Sequence, residues 1–231
     1  MAPVVQLRSA VALLGRFPAL AGVDLDVEAG EVVLVQGPNG AGKTSVLRVC
    51  AGLLAVSGGR AVVLGHDLAR DRRAVRRAVG LLGHAGFLYD DLTVEDNVRF
   101  GVRAAGGDVA AVGPALARLG LDGRLRAVAV SRLSAGQRRR VSIAVLVARA
   151  PALWLLDEPH AGLDAGGRDL VDTLVAGAVA GGATVVFASH EADRALALAH
   201  RTVTMVGGQV QVAAAPAGAV ATREAQVAGV A

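Results

Sequence analysis

One stretch constrains this chain more than any other: Gly37-Pro38-Asn39-Gly40-Ala41-Gly42-Lys43-Thr44. It follows the β-branched run Glu31-Val32-Val33-Leu34-Val35, which reads as a buried strand. It precedes Ser45-Val46-Leu47-Arg48-Val49-Cys50-Ala51, which reads as a helix. A strand that opens into glycines and restarts as a helix at Lys-Thr is built to hold phosphate. Glycines let successive backbone N–H groups turn inward on an anion, because no side chain blocks the approach. A helix beginning near Gly42 aims its unpaired N–H groups and positive dipole end at the same point. Lys43 can reach the outer phosphates and the Thr44 hydroxyl can ligate Mg²⁺.

Composition sharpens this reading. Of the 24 Lys and Arg residues in the 231-residue chain, Lys43 is the one lysine. A chain that uses arginine elsewhere keeps its lysine where a compact charge on a flexible stem is wanted. The length allows one domain, or two closely joined subdomains, with a sizeable core. The net charge is +4. The isoelectric point of about 10.4 follows because little titrates between neutrality and pH 10, so it is weak evidence for nucleic-acid binding. The arginines at 70, 72, 73, 76 and 77 read as one solvated helix face, without the interleaved aromatics of a nucleic-acid surface. Cys50 stands alone, excludes an internal disulfide, fits a reducing compartment and reads as a small core residue. No signal peptide or membrane-spanning run is evident, so a soluble protein is expected, with any membrane role coming through a partner.

Strands are expected at 4–14, 21–27, 60–64, 78–83, 152–156 and 184–188, with a hairpin of 203–206 and 209–212. Ser57-Gly58-Gly59 reads as a turn. Thr93 reads as a helix cap opening a helical insert to about residue 129, interrupted at Gly106-Gly107 and Gly113-Pro114. Helices are also expected at 138–150, 171–177 and 192–199.

Further chemistry sits at the element ends. Four apolar residues run into Asp157-Glu158-Pro159, where one carboxylate can face a metal and the other a water. Leu133-Ser134-Ala135-Gly136-Gln137 opens a helix, and Ser134, Gly136 and the helix tip make a second anion site. His190 follows a buried strand in Phe187-Ala188-Ser189-His190-Glu191 and can hydrogen-bond a terminal phosphate. Phe17, some twenty residues before the glycine loop, could stack on an adenine or serve ordinary packing. His160 reads as a surface or interface residue, and His66 and His200 as structural ones.

In order along the chain, these motifs resemble the nucleotide-binding subunit of an ABC transporter. They are a Walker A at 37–44, a signature-like 133–137, a Walker B ending in Asp157-Glu158, a D-loop-like Ala161-Gly162-Leu163-Asp164 and the switch histidine His190. Within that family the chain is most similar to the haem-exporter, cytochrome c maturation type, on Leu133-Ser134-Ala135-Gly136-Gln137-Arg138-Arg139-Arg140 and Leu153-Trp154-Leu155-Leu156-Asp157-Glu158-Pro159.

The resemblance implies an α/β fold, a three-layer P-loop NTPase core with an antiparallel β subdomain and an inserted helical subdomain. It implies one nucleotide-binding domain over 1–212, a helical subdomain near 92–140 and an Ala-rich tail over 213–231. It implies ATP hydrolysis powering a separate transmembrane permease, with ATP and Mg²⁺ as cofactors. Nucleotide binding is expected from Gly37 through Ser45 with Phe17, metal binding from Thr44, Asp157 and His84, and catalysis from Glu158 and His190. His84 stands where most members carry a glutamine, and a neutral imidazole could contact Mg²⁺ or water. Ser134, Ala135, Gly136 and Gln137 are expected on the ATP of a second subunit in a head-to-tail homo- or heterodimer, with Asp164 in the D-loop. Phe87 to Asp91 are expected near the permease, on the cytoplasmic face of the membrane, and no nucleic acid is expected. The alternatives are a transporter ATPase for another substrate, or a soluble ATPase of this type acting on nucleic acid or ribosomes. A non-hydrolysing regulator is a third reading, and Glu158 speaks against it.

Overall fold

The computed structural model describes residues 3–83 and 86–214. Two sheets carry the fold. An antiparallel sheet runs β2-β1-β4-β5, from β1 (Val5–Leu14), β2 (Phe17–Val27), β4 (Gly58–Val63) and β5 (His66–Asp67). The second runs β10-β9-β3-β8-β7-β6, from β3 (Val32–Gln36), β6 (Val79–Leu82), β7 (Leu153–Asp157), β8 (Thr184–Ala188), β9 (Arg201–Val206) and β10 (Gln209–Ala214). Its pairs are parallel except for the β9–β10 hairpin. The helices are α1 (Lys43–Cys50), α2 (Leu68–Asp71), α3 (Val94–Ala104), α4 (Val112–Arg118), α5 (Ala135–Arg149), α6 (Ala165–Ala180) and α7 (Ala192–Leu198).

Strand alternation produces the layers. Val33 and Val35 of β3, Leu153 and Leu155 of β7, and Val186 and Ala188 of β8 share one core with α1 and the antiparallel sheet. Their neighbours Val32, Leu34, Trp154, Leu156, Val185 and Phe187 face the opposite core, shared with α3 to α6. A sheet buried on both faces reads as a continuous apolar run, which is how these strands appear in the sequence. Each buried Val or Leu contributes about 1.5–3 kcal/mol. The expected three-layer α/β architecture is what the chain forms.

Several local expectations are corrected. Phe17 opens β2 instead of lying between strands, and Gly58-Gly59 begin β4 instead of turning. The arginines at 70–77 do not share one helix. Asp71 Oδ1 accepts the N–H groups of Arg73 and Ala74 at 2.9 and 3.3 Å, which ends α2 and starts a separate 3₁₀ turn, Ala74–Arg77. Gly113 and Pro114 lie in the first turn of α4, where a missing N–H costs no helical bond. Helix α6 starts at Ala165, six residues earlier than expected. The Asp164 carboxylate caps it through the Gly167 N–H at 2.8 Å, and a Cβ on Gly167 would meet Leu163 Cβ at 3.1 Å. Residues 213 and 214, expected in a tail, complete β10, while 215–231 lie outside the described residues.

Candidate nucleotide-binding and catalytic site

Register brings the chemistry to one edge. Val35 of β3 pairs with Ala188 of β8, and Asp157 of β7 pairs with the same Ala188. The three strands therefore stop together, and the glycine loop, Glu158 and His190 emerge side by side at the carboxyl edge of a parallel sheet. That edge is where open α/β sheets hold ligands.

The glycine loop has the conformation its sequence requires. Gly37, Gly40 and Gly42 have φ of 142°, 78° and 104°. A Cβ on Gly37 would fall 2.1 Å from the Met205 carbonyl oxygen, and one on Gly42 would fall 2.8 Å from that of Ala19. Lys43 is buried, and its Nζ donates to the Gly37 and Pro38 carbonyls at 2.7 and 3.1 Å. The Thr44 Oγ1 donates to Asp157 Oδ2 at 2.8 Å, joining the first turn of α1 to the end of β7.

Glu158 leaves the strand with φ 50°, in the left-handed region. Its N–H donates to the Ala188 carbonyl at 2.9 Å, its Oε2 accepts the His190 N–H at 3.1 Å, and its Oε1 lies 3.5 Å from His190 Nε2. A cleft of about 400 Å³ is lined by Phe17, residues 39–45, Asp157, Glu158 and His190. Phe17 is 79% exposed, so its ring is not packed into the core. His84 lies outside the described residues.

Ser134, Ala135, Gly136 and Gln137 do not line this cleft. They form the tip of α5, closed by a capping box in which Ser134 Oγ accepts the Gln137 N–H at 3.2 Å and Gln137 Oε1 accepts the Ser134 N–H at 3.0 Å. Ser134 and Ala135 are exposed, and a Cβ on Gly136 would reach within 3.1 Å of the Gly162 carbonyl oxygen. Asp164 caps α6 and accepts from Arg140 Nη2 at 3.2 Å. The Gly167 N–H, with help from Arg140, holds its carboxyl below the usual range.

Two residues escaped the sequence reading, Arg139 and Asn97, and a third, His160, lies deeper than expected. Arg139 is buried and donates to the Gly83, Asp157 and Glu158 carbonyls at 2.6, 3.0 and 2.5 Å. Its position was legible, since 139, 143 and 146 recur on one helix face with Ile143 and Leu146. Asn97 is buried, accepts the Tyr89 N–H at 2.8 Å and donates to the Tyr89 and Thr93 carbonyls, both at 3.0 Å. It fixes a segment whose Phe87 and Tyr89 side chains are exposed beside Phe100. His160 is not at the surface but 1% exposed, with Nε2 2.8 Å from Asp172 Oδ1. It is buried in the turn after β7, against Asp172 of α6. His200, read as structural, accepts the Val32 N–H at 3.2 Å.

Comparison with known proteins agrees with this geometry. Residues 20–161 match the ABC transporter family, described as "ABC transporter". The "Cytochrome c biogenesis ATP-binding export protein CcmA" of Nitrobacter winogradskyi is 41% identical over 169 residues, 73% of this chain and 82% of that protein. The protein of the same name from Xanthomonas campestris pv. campestris is 40% identical over 189 residues, 81% of this chain and 87% of its own length. A dimeric ATP-binding cassette solved in a post-hydrolysis state with ADP and Pi superposes with a TM-score of 0.84 over 93% of this chain and 99% of that one, at 24% identity. With the motifs in family order, the fold matched and the phosphate loop facing two carboxylates and a histidine, this chain belongs to the ABC transporter family as an ATP-binding, ATP-hydrolysing subunit.

Proposed function

We propose that the chain hydrolyses ATP in the cleft between its glycine loop and Glu158, and so drives a separate membrane permease that exports in cytochrome c biogenesis. The observation carrying this is the convergence of Lys43, Thr44, Asp157, Glu158 and His190 on one cavity. The named relatives are cytochrome c biogenesis export proteins, which supports haem export over action on nucleic acid or ribosomes. Among the described residues no helix is long and apolar enough to cross a membrane. The permease in this reading is a separate chain, with this subunit peripheral on the cytoplasmic face. The nucleotide-binding domain runs through β10 to residue 214, and the helical subdomain lies near 92–140.

The loop amides of 37–42 and the N-terminus of α1 receive the phosphates, while Phe17 stacks on the adenine. Lys43 exchanges the Gly37 and Pro38 carbonyls for phosphate oxygens. Thr44 and Asp157 supply hard oxygens 2.8 Å apart, which fits Mg²⁺, and the ion when bound would offset the charge on the β- and γ-phosphates. His84 would contribute a neutral imidazole to that ion or its water. Glu158 takes a proton from water as the water oxygen bonds to the γ-phosphorus. The bond from that phosphorus to the bridging oxygen breaks, leaving ADP and inorganic phosphate. His190, within reach of Glu158, donates a hydrogen bond to the γ-phosphate.

The tip of α5 lies outside its own chain's cleft, so Ser134 and Gly136 complete the site of a second copy, with Asp164 and the D-loop at the same interface. Phe87 to Asp91, with exposed Phe87 and Tyr89, receive the permease. ATPase assays with dimer detection test this reading. Lys43→Ala is expected to lose nucleotide binding. Glu158→Gln is expected to bind ATP and accumulate as a dimer while turnover falls about 100-fold. Wild-type turnover in Glu158→Gln would show that another group activates water.

A further inference from the structure

Arg139 is a buried cation on the apolar stripe of α5, between the core and the catalytic strand. A leucine or methionine would fill such a position at lower desolvation cost. Among the described residues no carboxylate lies within ion-pair distance, and burial pushes the guanidinium pKa down, with the Asp157 and Glu158 charges working the other way. What the side chain does is bind backbone. Its two Nη atoms donate to three carbonyls: Gly83, at the end of β6, and Asp157 and Glu158, at the end of β7. A planar guanidinium fork suits this task, whereas an ammonium cannot span the three oxygens with the same geometry.

Two of those carbonyls belong to the residues assigned to the metal and the attacking water. Glu158 has the unfavourable φ of 50°, and its peptide is held on both sides. Its N–H donates to Ala188 in β8, and its carbonyl accepts from Arg139 in α5. Arg139 lies five residues after Ser134 on the same 15-residue helix, whose tip is the surface assigned to the partner's nucleotide. A displacement of that tip therefore acts on the Glu158 backbone through a single side chain.

Resting on the function proposed above, we propose that Arg139 is a positioning residue. It clamps α5 to the turn carrying Glu158, so that engagement of the α5 tip by a second copy's ATP sets the water-activating carboxylate of its own chain. Removing the clamp leaves the phosphate loop intact and loosens Glu158, so kcat falls while KM for ATP holds.

The test is steady-state ATPase kinetics on Arg139→Met and Arg139→Lys, with thermal denaturation and ATP binding measured on each. For Arg139→Met the expectation is a drop in kcat of at least about tenfold with KM changed less than about threefold. Arg139→Lys keeps the charge without the fork and is expected to recover part of kcat at the same KM. If Arg139→Met does not fold, Arg139→Lys decides alone, with a reduced kcat at unchanged KM and melting temperature supporting the clamp. Wild-type kcat in either folded variant overturns it, as does a fall in ATP affinity that tracks a fall in melting temperature. Glu158→Gln is run in parallel. Full turnover there defeats the functional reading itself, whereas an inactive Glu158→Gln beside an unimpaired Arg139→Met defeats only the clamp.

Discussion

Asp157 and Glu158 are neighbours in sequence whose side chains part because the backbone turns between them. Asp157 still belongs to β7 and meets Thr44, while Glu158, at φ 50°, meets His190. A left-handed non-glycine residue costs about 1–2 kcal/mol. Glycines face a similar accounting, with different outcomes at different positions. Gly37→Ala puts a methyl group 2.1 Å from the Met205 oxygen, whereas Gly40→Ala meets no atom within 4 Å and suffers only its positive φ. Thermal denaturation is expected to show Gly40→Ala losing about 1 kcal/mol and Gly37→Ala clearly more. Equal losses would mean that the contact with β9 is not what fixes Gly37. Cys50 is buried, and desolvation pushes its thiol up to about 12. Alkylation by iodoacetamide at pH 8 is therefore expected only at the rate of unfolding, measured by mass spectrometry with and without denaturant.

Among the elements, α5 does the most, since its tip, its buried stripe and its last turn each contact a different part of the fold. Ser134→Ala is expected to destabilise the protein by about 0.5–2 kcal/mol through loss of the cap, read by denaturant unfolding, apart from any effect on turnover. At the other end of the sheet, Arg201 Nε in β9 binds Glu31 Oε1 at 2.7 Å. Burial raises the Glu31 pKa, but the bonds from Arg201 and the Glu28 backbone outweigh it, and the net shift is downward. A carboxylate depressed on folding stabilises above its unfolded value, about 4.3, and loses that contribution as pH falls through the folded value. The gap in melting temperature between wild type and Arg201→Met is thus expected to narrow below pH 4.5, approximately the ordinary glutamate range. A constant gap would assign Arg201 a packing role.

Element identity was legible wherever one physical signal dominated. The buried strands β3, β7 and β8 showed as apolar runs, and Thr93 and Ser134 announced the helices they cap. What stayed hidden depended on partners distant in sequence. The first turns of α6 went unread because the Asp164 cap and the packing of Leu163, which leave no room for a Cβ on Gly167, come from the folded turn. The buried position of Arg139 was legible from its helix face, but its role was not, because only the tertiary fold supplies the carbonyls of residues 83, 157 and 158. His160 looked exposed because its partner Asp172 lies twelve residues on.

At the scale of the whole molecule, the two anion sites proposed for one chain do not meet. Lys43 and Glu158 share a cleft, while Ser134 and Gly136, at the tip of α5, do not line it. The cassette solved with ADP and Pi, on which this fold superposes, is itself dimeric, and this chain is proposed to pair in the same way. On the proposed reading, a triphosphate shared between copies would convert binding into a rigid-body motion that a permease can use. Disulfide trapping reads this most directly in Glu158→Gln protein, where native Cys50 is buried. One copy would carry Asn39→Cys and the other Ala135→Cys, mixed with and without ATP and Mg²⁺. The expected result is a covalent heterodimer that forms with ATP and is absent with ADP or no nucleotide; cross-linking that ignores nucleotide, or none at all, would contradict the shared site.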